Sequence, residues 1–278
     1  MSIDTNISFE FSAPRSEEAL AKLLQVHNRL LEAKPDFFSV TYGAGGSTKD
    51  GTRQAVLQLA DTGSSIAPHL SFGTDTPDRI ETLLKEYQAA GINRVVALRG
   101  DMPSGMFSHH DMVYASELVA FIREKTGDHF HIEVAAYPEV HPDSPSVQED
   151  IHFFKQKVDA GADSAITQYF YNPDAYFRFV DNCAALGVSI PIVPGIMPIT
   201  NVDTLIRFSE KCGAEIPRWM RKHLETHKDD PESLKAFCLD TVADLCEKLL
   251  QGGAPGLHFY TLNQSLPSLR IIRHLAAR

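Results

Sequence analysis

Cysteine is scarce in this chain, and no two cysteines stand at metal-binding spacing. Cys183, Cys212, Cys238 and Cys246 are the only ones in 278 residues, none forms a CxxC pair, and three lie in stretches with a helical period. This gives no disulfide framework and no zinc site, and it fits structural thiols in a reducing compartment. Long apolar runs are also missing, since none approaches the ~18 residues of a membrane span. Residues 1–9 lack a basic stretch followed by an apolar one, so no signal peptide is expected and the protein is expected in the cytoplasm. The formal net charge is −10, which speaks against nucleic acid and anionic membranes as partners. An anionic ligand then needs a local cluster of cations. No Pro/Ser-rich linker or low-complexity segment divides the chain.

What is present is an ordinary globular composition, 43% hydrophobic and 22% charged. The fourth apolar run is the clearest. Val95-Val96-Ala97-Leu98 is uninterrupted, then Arg99, Gly100 and Asp101 follow in a row, and Pro103 forbids helix at Met102. This reads as a strand buried on both faces with a polar tip. Similar runs occur at 7–11, 37–42, 65–71, 131–137, 164–169, 190–196 and 257–262. Between them lie stretches of helical period: 16–31, 49–61, 77–90, 112–125, 146–160, 172–186, 201–211, 231–250 and 265–277. Ser16 and Thr76-Pro77 supply helix-start signals, and Gly91, Gly127, Gly161 and Gly187 supply stops. Residues 216–230, mixed acidic and basic, read as an irregular insert. Strands alternating with helices require parallel pairing with crossover helices. The expected fold is α/β, a single (β/α)8 TIM barrel over 1–278 with extra helices near the C-terminus. An open dinucleotide-binding sheet would place GxGxxG after its first strand, and residues 8–14 have none.

A barrel directs attention to the C-terminal ends of its strands. Those ends carry Glu10, Thr41-Tyr42-Gly43, His69, Arg99-Gly100-Asp101, Tyr137 with His141, Thr167-Gln168, Gly195 and Tyr260. Glu10 lies between Phe9 and Phe11, so a desolvated carboxyl suited to general acid work is expected. Asp101 reads either as a fixed charge that tunes a bound electrophile or as a helix cap or salt-bridge partner. His69 reads as a rim residue or a catalyst. Residues 43–48, glycine-rich before a helix, read as a phosphate cradle or as a tight turn without the Walker ending. Gln168 suits a flat heterocycle or a network inside the rim. His109-His110-Asp111 in a polar loop is not expected to hold a metal.

These stretches together resemble the bacterial methylenetetrahydrofolate reductase family. The matching segments include Ser8-Phe9-Glu10-Phe11, Val40-Thr41-Tyr42-Gly43-Ala44-Gly45-Gly46-Ser47-Thr48, Ala67-Pro68-His69-Leu70 and Ala97-Leu98-Arg99-Gly100-Asp101. Others are Ala135-Ala136-Tyr137-Pro138-Glu139-Val140-His141-Pro142, Ile166-Thr167-Gln168-Tyr169-Phe170 and His258-Phe259-Tyr260-Thr261-Leu262-Asn263. The resemblance implies an FAD-dependent enzyme. In such an enzyme NADH, or NADPH, reduces the flavin and leaves, and the flavin then passes hydride to 5,10-methylenetetrahydrofolate. The product, 5-methyltetrahydrofolate, supplies methyl groups for methionine synthesis. A homo-oligomer, a tetramer, is implied as well.

By position the resemblance implies Glu10 and Asp101 as catalytic residues, Glu10 as the acid that protonates folate N10 and Asp101 as a carboxylate near the flavin. It implies FAD contacts at Thr41, Tyr42, Ala44, His69, Arg99, Gly100, Asp101, Tyr114, Ala115, Tyr137, His141, Asp150 and Lys157. Arg99, Lys157 and His141 would supply cations near the diphosphate. Gln168, Thr204, Phe208 and Gln264 are implied as folate-binding, although periodicity alone reads Phe208 as helix core. Gln264 departs from the family, whose bacterial members carry an arginine there for the glutamate tail. The long C-terminal regulatory domain of eukaryotic relatives is not seen in the sequence, so S-adenosylmethionine control is not expected. Two other readings are a proline-dehydrogenase-type FAD barrel and a folate- or corrinoid-associated barrel that binds without reducing.

Overall fold

The structure is a computed structural model that describes residues 5–42, 49–72, 75–100, 114–227 and 229–277. Strands β1 (Asn6–Phe11), β2 (Phe37–Val40), β3 (Ile66–Ser71), β4 (Arg94–Leu98), β5 (His131–Ala136) and β6 (Ser164–Thr167) pair in parallel, each with the next. The seventh run is split in two, β7 (Ile192–Val193) and β8 (Gly195–Ile196), with Pro194 between them. β7 pairs with β6, and β8 pairs with β9 (Gly256–Tyr260), which returns to β1. The ends of the nine-stranded order are therefore two halves of one barrel strand, and the sheet closes on itself. The split follows from proline chemistry: Pro194 has no N–H to give, but its carbonyl still accepts from His258 N–H at 3.0 Å.

Helices α1 (Glu17–Leu30), α2 (Lys49–Ala60), α3 (Pro77–Ala89), α4 (Ala115–Thr126), α5 (Val147–Asp159) and α6 (Pro173–Ala185) alternate with the strands. Then come α7 (Val202–Cys212), α8 (Arg218–Thr226), α9 (Pro231–Gln251) and α10 (Leu266–Ala276). The α/β barrel expected from the sequence is what forms. The stretch read as irregular is corrected, since residues 218–226 form α8. Only Met220 and Leu224 of that helix are buried, one turn apart, and charged neighbours hide so narrow a stripe. All four cysteines sit in helices, and burial pushes the Cys238 thiol up to about 11.

Strand alternation sorts the side chains into two layers. Phe9, Phe11, Phe38 and Phe259 face the helices, with Phe11 and Phe38 stacked 5.4 Å apart. Phe37, Ala67, Val96 and Ile166 form a separate apolar cluster inside the barrel. Below that cluster lies a charged floor. Arg94 of β4 pairs with Glu133 of β5, which also accepts from the Ser164 hydroxyl. His131 Nε2 lies 2.8 Å from Ser164 Oγ, and the Arg94 guanidinium lies 4.4 Å from the centre of the Phe37 ring.

The seam at the seventh strand leaves no room for a side chain. A Cβ on Gly195 would stand 2.1 Å from the Thr167 carbonyl oxygen and 2.6 Å from the Tyr260 ring. Gly195→Ala is therefore expected to cost about 1–3 kcal/mol of stability by overpacking. A denaturant midpoint equal to wild type would refute this.

Candidate active site

Glu10 is on the inward row of β1, two residues after Ser8, so its carboxylate enters the barrel near the C-terminal mouth. Its Oε2 lies 3.4 Å from His69 Nε2 of β3 and 3.8 Å from His258 Nε2 of β9. The phenylalanine surroundings expected for it are corrected here. Phe9 and Phe11 are wholly buried on the opposite face of the strand, against the helices. Two imidazoles, rather than two phenyl rings, surround the acid. Burial pushes His69 below the usual imidazole range, against the pull of Glu10. His258 is 0% exposed, and its Nδ1 lies 2.7 Å from Ser8 Oγ. Both Nε2 atoms are buried with no hydrogen-bond partner among the described residues. Tyr260, beside Glu10 in the β1–β9 register, donates its hydroxyl to the Thr167 carbonyl at 2.7 Å.

A second group gathers beyond β4 and β5. Arg99 leaves β4 and meets Asp143 at 3.1 Å. Gly100 follows at φ +82°, a conformation that favours glycine. The Tyr137 and His141 rings meet edge to face with centroids 4.5 Å apart. Asp150, buried at the start of α5, accepts from Ser144 Oγ at 2.7 Å and from His141 N–H at 3.3 Å. Lys157 Nζ donates to the Ala135 carbonyl at 2.5 Å. Burial pushes the Lys157 ammonium down to about 8, against nearby Asp150. Burial also lowers His141, against Asp143 and Asp150 and with the help of Arg99 and Lys157. Val140 holds φ +71° in this loop, an unusual conformation for a β-branched residue. Beside the group a cavity of about 240 Å³ opens between α5 and α6, with Tyr137 and Asp150 on its wall.

The other expected positions fall around the same mouth. Tyr42 donates to buried Asp75, which also faces Arg79 at 3.3 Å; burial and this bond raise the phenol. Thr41 accepts from Ala13 N–H at 3.0 Å and so ties the β1 and β2 ends together. Tyr114 caps α4 and is exposed, and Ala115 begins that helix. Gln168 Oε1 accepts from Tyr169 N–H at 3.0 Å. Thr204 and Phe208 of α7 share a shallow crevice with Tyr169 and Leu262. Phe208 is 39% exposed, which corrects its periodicity-based reading as helix core. Gln264, just past that crevice, is exposed. Ala44, Asp101 and residues 43–48 lie outside the described residues. The sequence reading gave no site role to Ser8, His258 or Asp143. Counting back two residues from Glu10 and from Tyr260 reaches Ser8 and His258, so the strand period held that signal.

No described helix is long and apolar enough to cross a membrane. The profile of the methylenetetrahydrofolate reductase family matches residues 2–276. The 5,10-methylenetetrahydrofolate reductase of Escherichia coli (strain K12) is 40% identical over 274 residues, covering 98% of this chain and 91% of that protein. Methylenetetrahydrofolate reductase (NADH) 1 of Arabidopsis thaliana is 37% identical, covering 98% of this chain and 48% of that protein. Among solved structures, a Clostridium thermocellum protein described as binding two copies of 5-methyl-5,6,7,8-tetrahydrofolic acid shares the fold. Its TM-score is 0.71 at 17% identity, over 97% of this chain and 93% of that one. With a mouth that presents a carboxylate between imidazoles, and with likeness along almost its whole length, the chain belongs to the methylenetetrahydrofolate reductase family.

Proposed function

We propose that this reductase works with FAD held across the barrel mouth, takes its electrons from NADH, and uses Glu10 as the acid that opens the folate ring. The Glu10 carboxylate, set between two buried imidazoles at the end of β1, is the observation that carries the reading. The residues present fit a flavin dinucleotide. Arg99, His141 and Lys157 cluster in an otherwise acidic chain, which suits a diphosphate, and the orphaned His69 Nε2 can serve a polar edge of the ring. Tyr42, Gly100, Tyr114, Ala115, Tyr137 and Asp150 complete the proposed set, with Ala44 and Asp101 from outside the described residues. Bound FAD supplies hydride transfer from the nicotinamide to the folate carbon.

The protein's own part is to bind, orient and move one proton. In 5,10-methylenetetrahydrofolate a CH2 bridges N5 and N10. Glu10 holds a proton at its carboxyl and gives it to N10. The bond from carbon to N10 then breaks with its electrons on N10, and the N5 lone pair forms a cationic iminium that can accept hydride. Gln168 hydrogen-bonds the heterocycle, while Thr204, Phe208 and Gln264 line the tail side. The product, 5-methyltetrahydrofolate, is a methyl donor for methionine synthesis. Family membership sets aside the proline-dehydrogenase-type barrel and the non-reducing barrel.

An anaerobic visible spectrum tests the reading. A flavin band that bleaches with NADH and returns with the folate is the expected result, whereas a protein that takes up no added FAD would sink it. Flavin retention should also depend on pH. A diphosphate is held by the charged form of Lys157. Affinity is therefore whole below about 8, where burial sets this lysine. It falls as pH rises through that value, by up to about tenfold per unit. Lys157→Met should bind weakly with a flat profile, and an unchanged profile would remove Lys157 from the diphosphate site.

A further inference from the structure

We propose that His258 is a positioning residue for Glu10. It receives the ionised carboxylate as a hydrogen-bond acceptor once the proton has left, and Ser8 fixes the imidazole tautomer that makes this possible. The inference rests on the reading of Glu10 as the acid. His258 and Ser8 stand side by side in the β1–β9 register, which brings Ser8 Oγ within 2.7 Å of Nδ1. With the hydroxyl donating to Nδ1, the ring hydrogen lies on Nε2, the nitrogen that faces Glu10. The ring plane is held by Phe37, stacked at 5.9 Å, and by Tyr260, edge-on at 5.4 Å. His258 Nε2 is buried, has no other hydrogen-bond partner among the described residues, and points at a carboxylate 3.8 Å away. An unused buried donor is costly unless a stage of the reaction employs it. A small turn of the Glu10 side chain closes the gap.

The step balances without a further reactant. The Glu10 O–H bond breaks as the N10–H bond forms, and the negative charge left on the carboxylate is met by His258 Nε2–H. Solvent restores the proton at the mouth. His69 stands on the other side at 3.4 Å, kept neutral by burial. Among the described residues, the groups beside Glu10 are thus His69 from β3, His258 and Tyr260 from β9, and the uncharged Ser39 from β2.

The test uses three variants of the holoenzyme. His258→Leu removes the donor, His258→Gln places an amide N–H near the position of Nε2, and Ser8→Ala frees the tautomer. His258→Leu should slow the folate half-reaction by about 10- to 100-fold. It should also move the pH limb of that half-reaction upward, since a carboxylate deprived of a donor becomes a weaker acid. Reduction of the flavin by NADH should keep its rate. His258→Gln should recover most of the loss, and Ser8→Ala should show a smaller shift in the same direction. In flavin-free protein, the infrared carboxyl band of Glu10 should titrate at higher pH in His258→Leu. An unmoved pH limb and band, or equal loss in both half-reactions with no rescue by glutamine, would overturn the proposal. Glu10→Gln is measured alongside. Should it block the folate step while His258→Leu does not, only this inference fails. Should it leave the folate step intact, the acid reading fails, and this inference with it.

Discussion

Glu10→Gln is expected to leave reduction of the flavin by NADH at its normal rate and to slow reoxidation by 5,10-methylenetetrahydrofolate by about 10²- to 10⁴-fold. The two half-reactions separate because only one of them needs a proton at N10. Hydride leaving a nicotinamide asks nothing of a carboxylic acid. The five-membered folate ring does, since its bridging carbon becomes an electrophile only when N10 departs as a neutral amine. Glutamine fills the same volume and keeps a polar amide beside His69 and His258, which stand 3.4 and 3.8 Å from the carboxylate. Packing is therefore preserved while the transferable proton is lost. Anaerobic stopped-flow measurement of the flavin band, with each substrate alone, reads the two rates. Equal loss in both would show that Glu10 serves flavin binding or the fold instead.

The floor of the barrel should give the largest effect on stability. Removing one partner of a buried ion pair costs about 3–5 kcal/mol, because the other charge is left without compensation. Glu133 is 2% exposed and is held by Arg94, Ser164 and His131 together. Glu133→Ala is therefore expected to lower stability by that amount in urea, with Arg94→Ala close behind. Replacing both by leucine should cost much less than the sum, as the charge and its counter-charge disappear together. The pH dependence has a definite sign. Burial alone would raise the Glu133 carboxyl, but hydrogen bonds from His131 and Ser164 and the charge of Arg94 outweigh it and hold it below the usual 4.5. A depressed carboxylate contributes stability that is whole above the unfolded value and is lost as pH falls through the folded one. Acid unfolding of the wild type should carry this component, and the double leucine variant should lack it. Equal urea midpoints for wild type and Glu133→Ala would refute the assignment.

Much of this could be read from the residues in order. The alternation of buried runs with helical stretches gave the barrel, and the rule that chemistry sits at strand tips led to Glu10, His69, Arg99 and Tyr137. Misreadings arose where a neighbour in sequence was taken for a neighbour in space. Phe9 and Phe11 flank Glu10 along the chain, yet a strand turns successive side chains to opposite faces, so its surroundings come from β3 and β9. The floor escaped notice because Arg94 and Glu133 are 39 residues apart and each looks like an ordinary charge within its strand. Residues 216–230 read as irregular because the two buried residues of 218–226 are too few to set a period against so many charges. The split at Pro194 could have been foreseen, since a proline inside a central strand argues against an unbroken ladder.

The Ser8–His258 contact spans 250 residues of chain. During synthesis β1 emerges first and waits, with one edge unpaired, until nearly everything else has been made. The acid at its tip, already beside His69 of β3, gains its second buried imidazole neighbour only when β9 arrives, and with β9 come both the last ladder and the second half of the closing seam. Any shorter nascent chain presents an open sheet edge and an incomplete pocket. For this protein, then, closure of the barrel and completion of the surroundings of Glu10 are the same event.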